Sequence, residues 1–252
     1  MQVIIPMAGL GQRFQFAGYK DPKPLIDIDG KPVIEHIVNM FPDVEKLIFI
    51  ANENHLANTN MRDVLQRVAP HGKVVAIPEH RLGPVYTVLQ AVEHIDDNLP
   101  VVTCYCDIHT PWNFKEFVQH MQDTNAEAGV VAFKGFHPPL LQEGLYATAR
   151  TDENDDEVLE VREKFSFTPN KMDSWTSAGV HYFKSGALVK KYFKKLIDLD
   201  IRCNDEFYIS MIHNLLIEDK LKNVLHPIDF FISWGKPEDV REYQYWSKHF
   251  NK

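Results

Sequence analysis

The chain has 252 residues, 27 Lys+Arg against 35 Asp+Glu, a formal net charge of −8, and 44% apolar residues. That length suits one large domain whose core needs no disulfide or metal staple, and 25% charged with 12% aromatic residues excludes a disordered chain. The acidic balance argues against a dedicated nucleic-acid or membrane-surface protein but leaves room for a local basic pocket that binds phosphates.

Gln2–Pro6 is a short apolar run ended by a glycine-containing loop and reads as a buried strand. Lys31–Phe41 follows Gly30 with Pro32 in its first turn, and Val33, Ile34, Ile37, Val38 and Phe41 share one helical face. Lys46–Ala51 is a strand, His55–Ala69 a helix and Val74–Pro78 a strand. Pro84–Ile95 is helical, with Val85, Val88, Leu89 and Val92 at helical spacing. Val101–Asp107 is a strand ending in an acid. Phe114–Asn125 is a helix and Ala128–Lys134 a strand. Alternation at this interval predicts a mostly parallel sheet with helices on both faces. Ligands on such sheets bind beyond the carboxyl ends of the strands, where the loop after Ile5 and Asp107 both fall.

The pattern changes after about residue 135. Leu145–Arg150 alternates, the acidic run Asp152–Glu157 reads as a solvated hairpin tip, and Val158–Val161 is its return strand. Ser177–Phe183 is a strand; helices are expected at Ala187–Leu196, Asp205–Asp219 and Pro237–Phe250. We expect a single domain over 1–252, with a nucleotide-binding half at 1–135 and an acceptor-binding half at 136–252. Three cysteines form no disulfide framework; Cys104 and Cys106 read as buried, reduced thiols. No leader pattern and no run of ~18 apolar residues is present, so the expectation is a soluble, cytoplasmic protein.

Chemistry concentrates in Pro6-Met-Ala-Gly9-Leu-Gly11-Gln-Arg13-Phe14, followed by Pro22-Lys23-Pro24-Leu25. Small residues after a strand let backbone N–H groups approach a phosphate, and an Arg two residues on adds charge. A dinucleotide fingerprint fails because Phe14 takes the third glycine position; a Walker loop fails because no Gly-Lys-Ser/Thr follows.

This opening, with Gly30-Lys-Pro-Val-Ile-Glu-His before a helix, resembles that of the sugar-nucleotidyltransferase (sugar-nucleotide pyrophosphorylase) family. The likeness continues in order through Pro78-Glu-His-Arg-Leu-Gly83, Val101–Asp107, Val161-Arg-Glu163-Lys164, Ser177-Ala-Gly179-Val-His-Tyr-Phe, Asp205-Glu-Phe-Tyr-Ile-Ser and Trp234-Gly-Lys-Pro237-Glu-Asp. It implies a Rossmann-like, three-layer α/β/α nucleotide-diphospho-sugar transferase fold with a mixed, mostly parallel sheet. It also implies that a phosphorylated small molecule attacks the α-phosphate of a nucleoside triphosphate and releases pyrophosphate. Such chemistry asks the protein for alignment and charge neutralisation.

Carried over by residue, Ala8, Gly9 and Gly11 would bind nucleotide through the main chain, Arg13 and Lys23 would be catalytic, and Glu79 and Gly83 would meet the base. Asp107 would hold Mg²⁺. Gly144, Glu163, Lys164 and Gly179 would line the acceptor pocket. The family's second metal aspartate falls at Ser233 or Trp234, and Asp229 is the nearest substitute. The acceptor is a sugar 1-phosphate by default. A cytidylyltransferase acting on a non-sugar phosphate such as phosphocholine is the alternative, because Tyr146, Trp175, Tyr182 and Trp234 could face a cationic headgroup. A glycosyltransferase would want Asp-x-Asp where Asp107-Ile-His109 stands; a non-catalytic nucleotide-binding module is the other rival. By analogy the product would serve surface polysaccharide assembly. No nucleic-acid or membrane partner is expected. The apolar side of the last helix (Tyr243, Trp246, Phe250) either joins two copies or closes the chain's own core.

Overall fold

The computed structural model describes residues 1–143 and 146–250. In chain order the strands are β1 (Gln2–Met7), β2 (Asp27–Ile28), β3 (Lys31–Pro32), β4 (Lys46–Asn52), β5 (Lys73–Ile77), β6 (Val101–Cys104), β7 (Ile108–His109), β8 (Ala128–Phe133), β9 (Thr148–Thr151), β10 (Val158–Arg162), β11 (Trp175–Phe183), β12 (Asn223–Pro227) and β13 (Ile232–Ser233). β5, β4, β1 and β6 run parallel. β11 lies antiparallel between β6 and β8, and its first residues, Trp175 and Thr176, pair with β9 on the side opposite β8. β10 follows β9 at the edge, and β12 pairs parallel with β8. The sheet is mixed and mostly parallel at its centre, as the alternation of elements predicts.

Strand parity builds two cores. Val3, Ile5, Met7, Phe49 and Ala51 face one layer with Ile34, Ile37, Leu65, Phe117 and Val240. Ile4, Ile48 and Ile50 face the other with Val85, Val88, Val189, Phe193 and Leu216. Because β1 has β4 on one side and β6 on the other, the order reverses at β1. The loops leaving β1 and β6 at their carboxyl ends therefore emerge side by side.

Five expected elements differ from those observed; one is the helix at 84–95, which ends at Leu89 and is followed by the 3₁₀ turn Val92–His94. The helix at 31–41 is Val33–Asn39, because Lys31–Pro32 pairs with Asp27–Ile28 instead. The helix at 55–69 is two, Glu53–Asn58 and Met61–Val68, broken at Thr59, whose backbone is extended. The helix at 205–219 shrinks to Ile212–Glu218 after a 3₁₀ turn. Asn204 and Asp205 take left-handed conformations, and the Phe207 backbone bonds Leu82 and Val85; a long-range contact overrides the local period. Finally, the strand leading to Asp107 ends at Cys104; the Tyr105 N–H still donates to the Gly179 carbonyl, where β11 shifts register. The acidic run does form the hairpin tip between β9 and β10, closed by the Asp152 N–H on the Glu157 carbonyl. All three cysteines are free. Among the described residues no helix is long and apolar enough to cross a membrane.

On the last helix, Pro237–Phe250, Val240 is buried and Tyr243 packs edge-on against Trp234. Trp246 and Phe250 stay 51% and 80% exposed. The stripe closes the core only in its first half.

Candidate active site

Two cavities open beyond the carboxyl ends of β1 and β6, of about 510 and 540 Å³. Both are lined by Arg13, Tyr105, Asp107 and Tyr208, so they meet at those residues.

The first cavity is walled by Ala8, Gly9, Gly11, Arg13, Lys23 and Gly83. Gly11 has φ +63° and caps the short helix Gln12–Phe16. A Cβ added at Gly9 or Gly11 would meet no atom within 4 Å. Packing therefore does not require these glycines; the loop exposes backbone to the cavity. Buried Phe14 anchors the short helix and so sets where Arg13 starts. Lys23 sits in a 3₁₀ turn between Pro22 and Pro24, which fix the loop. Its Nζ is 2.8 Å from Asp107 Oδ2, with both side chains about one-fifth exposed (19% and 22%). Burial works against the ammonium, but the Asp107 charge and the hydrogen bond to it outweigh it, and the lysine's pKa is raised. Burial pushes the Cys106 thiol up to about 12, so it stays protonated.

Gly83 has φ +86°, and a Cβ there would lie 2.8 Å from both the backbone N and O of Phe207. This glycine is required by close backbone approach. Glu79, expected at the base, is exposed and lines neither cavity; His80 and Arg81 line the first instead. The His80 Nδ1 accepts from the Leu82 N–H at 3.1 Å, and its Nε2 lies 3.0 Å from Thr87 Oγ1. Burial lowers the His80 pKa against the pull of Glu206. The resemblance gives a role to the carboxylate of the Pro78-Glu-His-Arg run but none to its two neighbours, nor to Glu206, which also lines this cavity.

The second cavity brings together Glu163, Lys164 and Gly179. Gly144 lies outside the described residues. Burial raises the Glu163 pKa despite the hydrogen bond that its Oε2 accepts from Ser210 Oγ. Lys164, in a left-handed conformation, places Nζ 4.9 Å from the centre of the Tyr208 ring. Gly179 has φ +75°, and a Cβ there would be 2.7 Å from Tyr105 Cδ2. β11 shifts register between Ser177 and His181 at this point, a bulge that turns the strand beside the cavity. Of the four aromatics singled out, only Tyr146 lines the cavity. Trp234 and Tyr182 are core residues, and Trp175 donates to Asp155 Oδ1. Ser177, Tyr208, Ser210 and Lys236 also line it, and neither helical nor strand periodicity marks them.

Asp229 is a correction. It is exposed, lies outside both cavities, and its backbone carbonyl accepts from His137 Nε2 at 3.2 Å. The carboxylate that reaches the cavity from this end is Asp239. It is 5% exposed and already accepts from Ser233 Oγ, the Lys236 N–H and Gln142 Nε2. His109 is also turned away: its ring stacks on Trp234 at 5.6 Å. Among the described residues no three or more His, Cys, Asp or Glu side chains gather to hold a metal. Asp107 offers one carboxylate, with Gly235 leaving space beside Oδ2. That donor set fits a hard ion that takes its other ligands from phosphate and water.

The MobA-like NTP transferase domain family matches residues 3–165, ending just past Glu163 and Lys164. The bifunctional protein GlmU of Methanocaldococcus jannaschii is 25% identical over 244 residues, 96% of this chain and 53% of that protein; the chain thus spans about half the length of this relative. A nucleoside-diphosphate-sugar pyrophosphorylase from Vibrio cholerae RC9 superposes with a TM-score of 0.80 at 18% identity, covering 97% of this chain and all of that one (100%). The inositol-1-phosphate CTP transferase from T. maritima does so at 0.69 and 14%, covering 98% and 95%. At such identities these two establish the fold.

Proposed function

The chain belongs to the family of MobA-like NTP transferase domains, and on that premise we propose that it couples a nucleoside triphosphate to a phosphorylated small molecule, a sugar 1-phosphate by default, and releases pyrophosphate. One observation carries this reading: two cavities meet at Arg13 and Asp107, with Lys23 ion-paired to Asp107. A triphosphate in the first cavity and a phosphorylated acceptor in the second would present their reacting groups to each other there.

In this reading a phosphate oxygen of the acceptor attacks the α-phosphorus. A new P–O bond forms as the bond to the bridging oxygen of the β-phosphate breaks, and pyrophosphate leaves with that electron pair. The attacking phosphate is already an anion and needs no general base. The exposed glycine-loop backbone at Ala8, Gly9 and Gly11 cradles phosphate. Arg13 offsets charge on the departing pyrophosphate, and Lys23 offsets charge on the α-phosphate. Asp107 would hold Mg²⁺, which when bound neutralises polyphosphate charge. Glu163, Lys164 and the glycine bulge at Gly179 shape the acceptor site.

The test is pyrophosphate release with the four triphosphates and Mg²⁺ against phosphorylated sugars and amino alcohols. We expect release with at least one pair; no release with any pair refutes the reading. A glycosyltransferase fits less well, because His109 of Asp107-Ile-His109 packs on Trp234 away from both cavities. The second reading, a cytidylyltransferase for a non-sugar phosphate, draws support from the fold shared with the inositol-1-phosphate CTP transferase. Phosphocholine as its acceptor is weakened, since Trp175, Tyr182 and Trp234 do not line the cavity. In either case the product would be made in the cytoplasm, with surface polysaccharide assembly as its use.

A further inference from the structure

His181 stands on β11, 1% exposed, and forms part of the lining of the second cavity. A chain of buried hydrogen bonds fixes which of its nitrogens carries the proton. Asn223 donates its side-chain N–H to the Leu221 carbonyl at 2.9 Å, leaving its Oδ1 as an acceptor. That oxygen is 2.7 Å from His213 Nδ1, so Nδ1 bears the hydrogen. Burial holds His213 neutral, its pKa pushed down to about 4, and its Nε2 is then an acceptor. His213 Nε2 is 3.0 Å from His181 Nδ1, which must donate. Burial keeps His181 neutral as well. The end of the chain is a lone pair on His181 Nε2, buried and without a hydrogen-bond partner.

A second orphan lies close by. The Tyr105 hydroxyl is likewise buried; the Ile209 backbone N–H approaches its oxygen, but no acceptor meets its hydrogen. Its ring lines the same cavity, with the two ring centres 6.3 Å apart. One group can only accept and the other has a hydrogen to donate. Each orphan costs free energy until it is paired. A hydroxyl both donates and accepts, so one hydroxyl satisfies both groups after a side-chain adjustment of the kind common on binding. A trimethylammonium group satisfies neither.

We propose, resting on the acceptor-site reading above, that His181 with Tyr105 determines specificity by binding a hydroxyl of the phosphorylated acceptor, and that His213 and Asn223 are positioning residues that keep His181 Nε2 an acceptor. The molecule selected is a hydroxyl-bearing phosphate, a polyol or sugar derivative, against a choline-type phosphate.

The experiment reads binding rather than turnover. Glucose 1-phosphate, glycerol 3-phosphate and phosphocholine are titrated calorimetrically into the full chain, with and without a nonhydrolysable triphosphate. We expect at least one hydroxylated ligand to bind about tenfold or more tightly than phosphocholine. His181→Phe should erase that preference while leaving phosphocholine and triphosphate affinities in place. His181→Gln, which keeps an acceptor, should restore part of it, and Asn223→Leu should weaken it. Phosphocholine binding as tightly as the hydroxylated ligands, no hydroxylated ligand binding, or a preference that survives His181→Phe each overturns the proposal. If His181→Phe does not fold, the wild-type comparison and His181→Gln decide. A binding preference without pyrophosphate release from any pair would refute the proposed reaction and leave this assignment standing. Release with phosphocholine as the preferred acceptor would do the reverse.

Discussion

The two cavities share four lining residues yet are built in opposite ways. The first takes the largest single share of its wall from one continuous run, residues 6 to 14, and completes it with Lys23, the turn at 80–84 and the stretch at 105–107. The second is gathered from short pieces around residues 105, 143, 163, 178, 208 and 235. Their glycines differ in the same sense. Gly9 and Gly11 of the first cavity face open space, whereas Gly179 of the second clears the Tyr105 ring; Gly83, on the separate turn that completes the first, clears the Phe207 backbone. One surface is specified by local sequence and shaped for a ligand's backbone contacts; the other is specified by packing and carries its selectivity on side chains.

Lys23→Ala should break the shared seam hardest. It removes the first-cavity cation paired to Asp107 and leaves that carboxylate without its partner, so pyrophosphate release in steady-state assays should fall about 10²–10³-fold. Unchanged release would remove Lys23 from the mechanism. Gly83→Ala and Gly9→Ala sharpen the contrast in glycine use. The first forces a side chain into a left-handed conformation 2.8 Å from backbone atoms, and should lower urea-unfolding stability by roughly 2–3 kcal/mol. The second meets nothing within 4 Å. It should leave stability within about 0.5 kcal/mol yet weaken triphosphate binding about tenfold in calorimetry, because the added methyl occupies ligand space. Equal stability losses would erase the distinction.

The smallest expected effect separates the regions by pH. His213 and His226 are held down to about 4 by burial, and His181 is lowered with them. The unfolded chain, with histidine near ~6.5, binds more protons in the window between those values. Stability is therefore complete above about pH 6.5 and falls as pH drops toward 4. His213 alone accounts for about 1 kcal/mol at pH 5.5. Hydrogen exchange, corrected for intrinsic rates, should show β8, β11 and β12 losing protection at pH 5.5 before β1, β4 and β5. Uniform loss would contradict that.

The difference in construction also explains what could be read from sequence. Strand parity and the Ala-Gly-x-Gly-x-Arg-Phe run are local, and they located the parallel sheet, Arg13, Lys23 and the approach to Asp107. The residues around 204–211 follow a helical pattern that yields to the Phe207 backbone's bonds with Leu82 and Val85, so Tyr208 and Ser210 stand in a run the resemblance marks but owe their place at the cavity to that long-range contact. Asp229 was chosen by distance along the chain, but the turn into the last helix brings Asp239 inward instead. Glu79 is carried over from the resemblance alone, while the neighbouring His80, locked by Leu82 and Thr87, is the one that lines the cavity. The His181–His213–Asn223 chain joins three elements and has no sequence signature at all.

The central claim is that a polyphosphate is gripped where the cavities meet. A crystal structure of the chain with a nonhydrolysable nucleoside triphosphate and Mg²⁺ tests it directly. The account predicts the phosphates against Gly9–Arg13, with Lys23 on a phosphate oxygen and the ion on Asp107. Phosphates seated elsewhere, with Lys23 and Asp107 still paired only to each other, would contradict it.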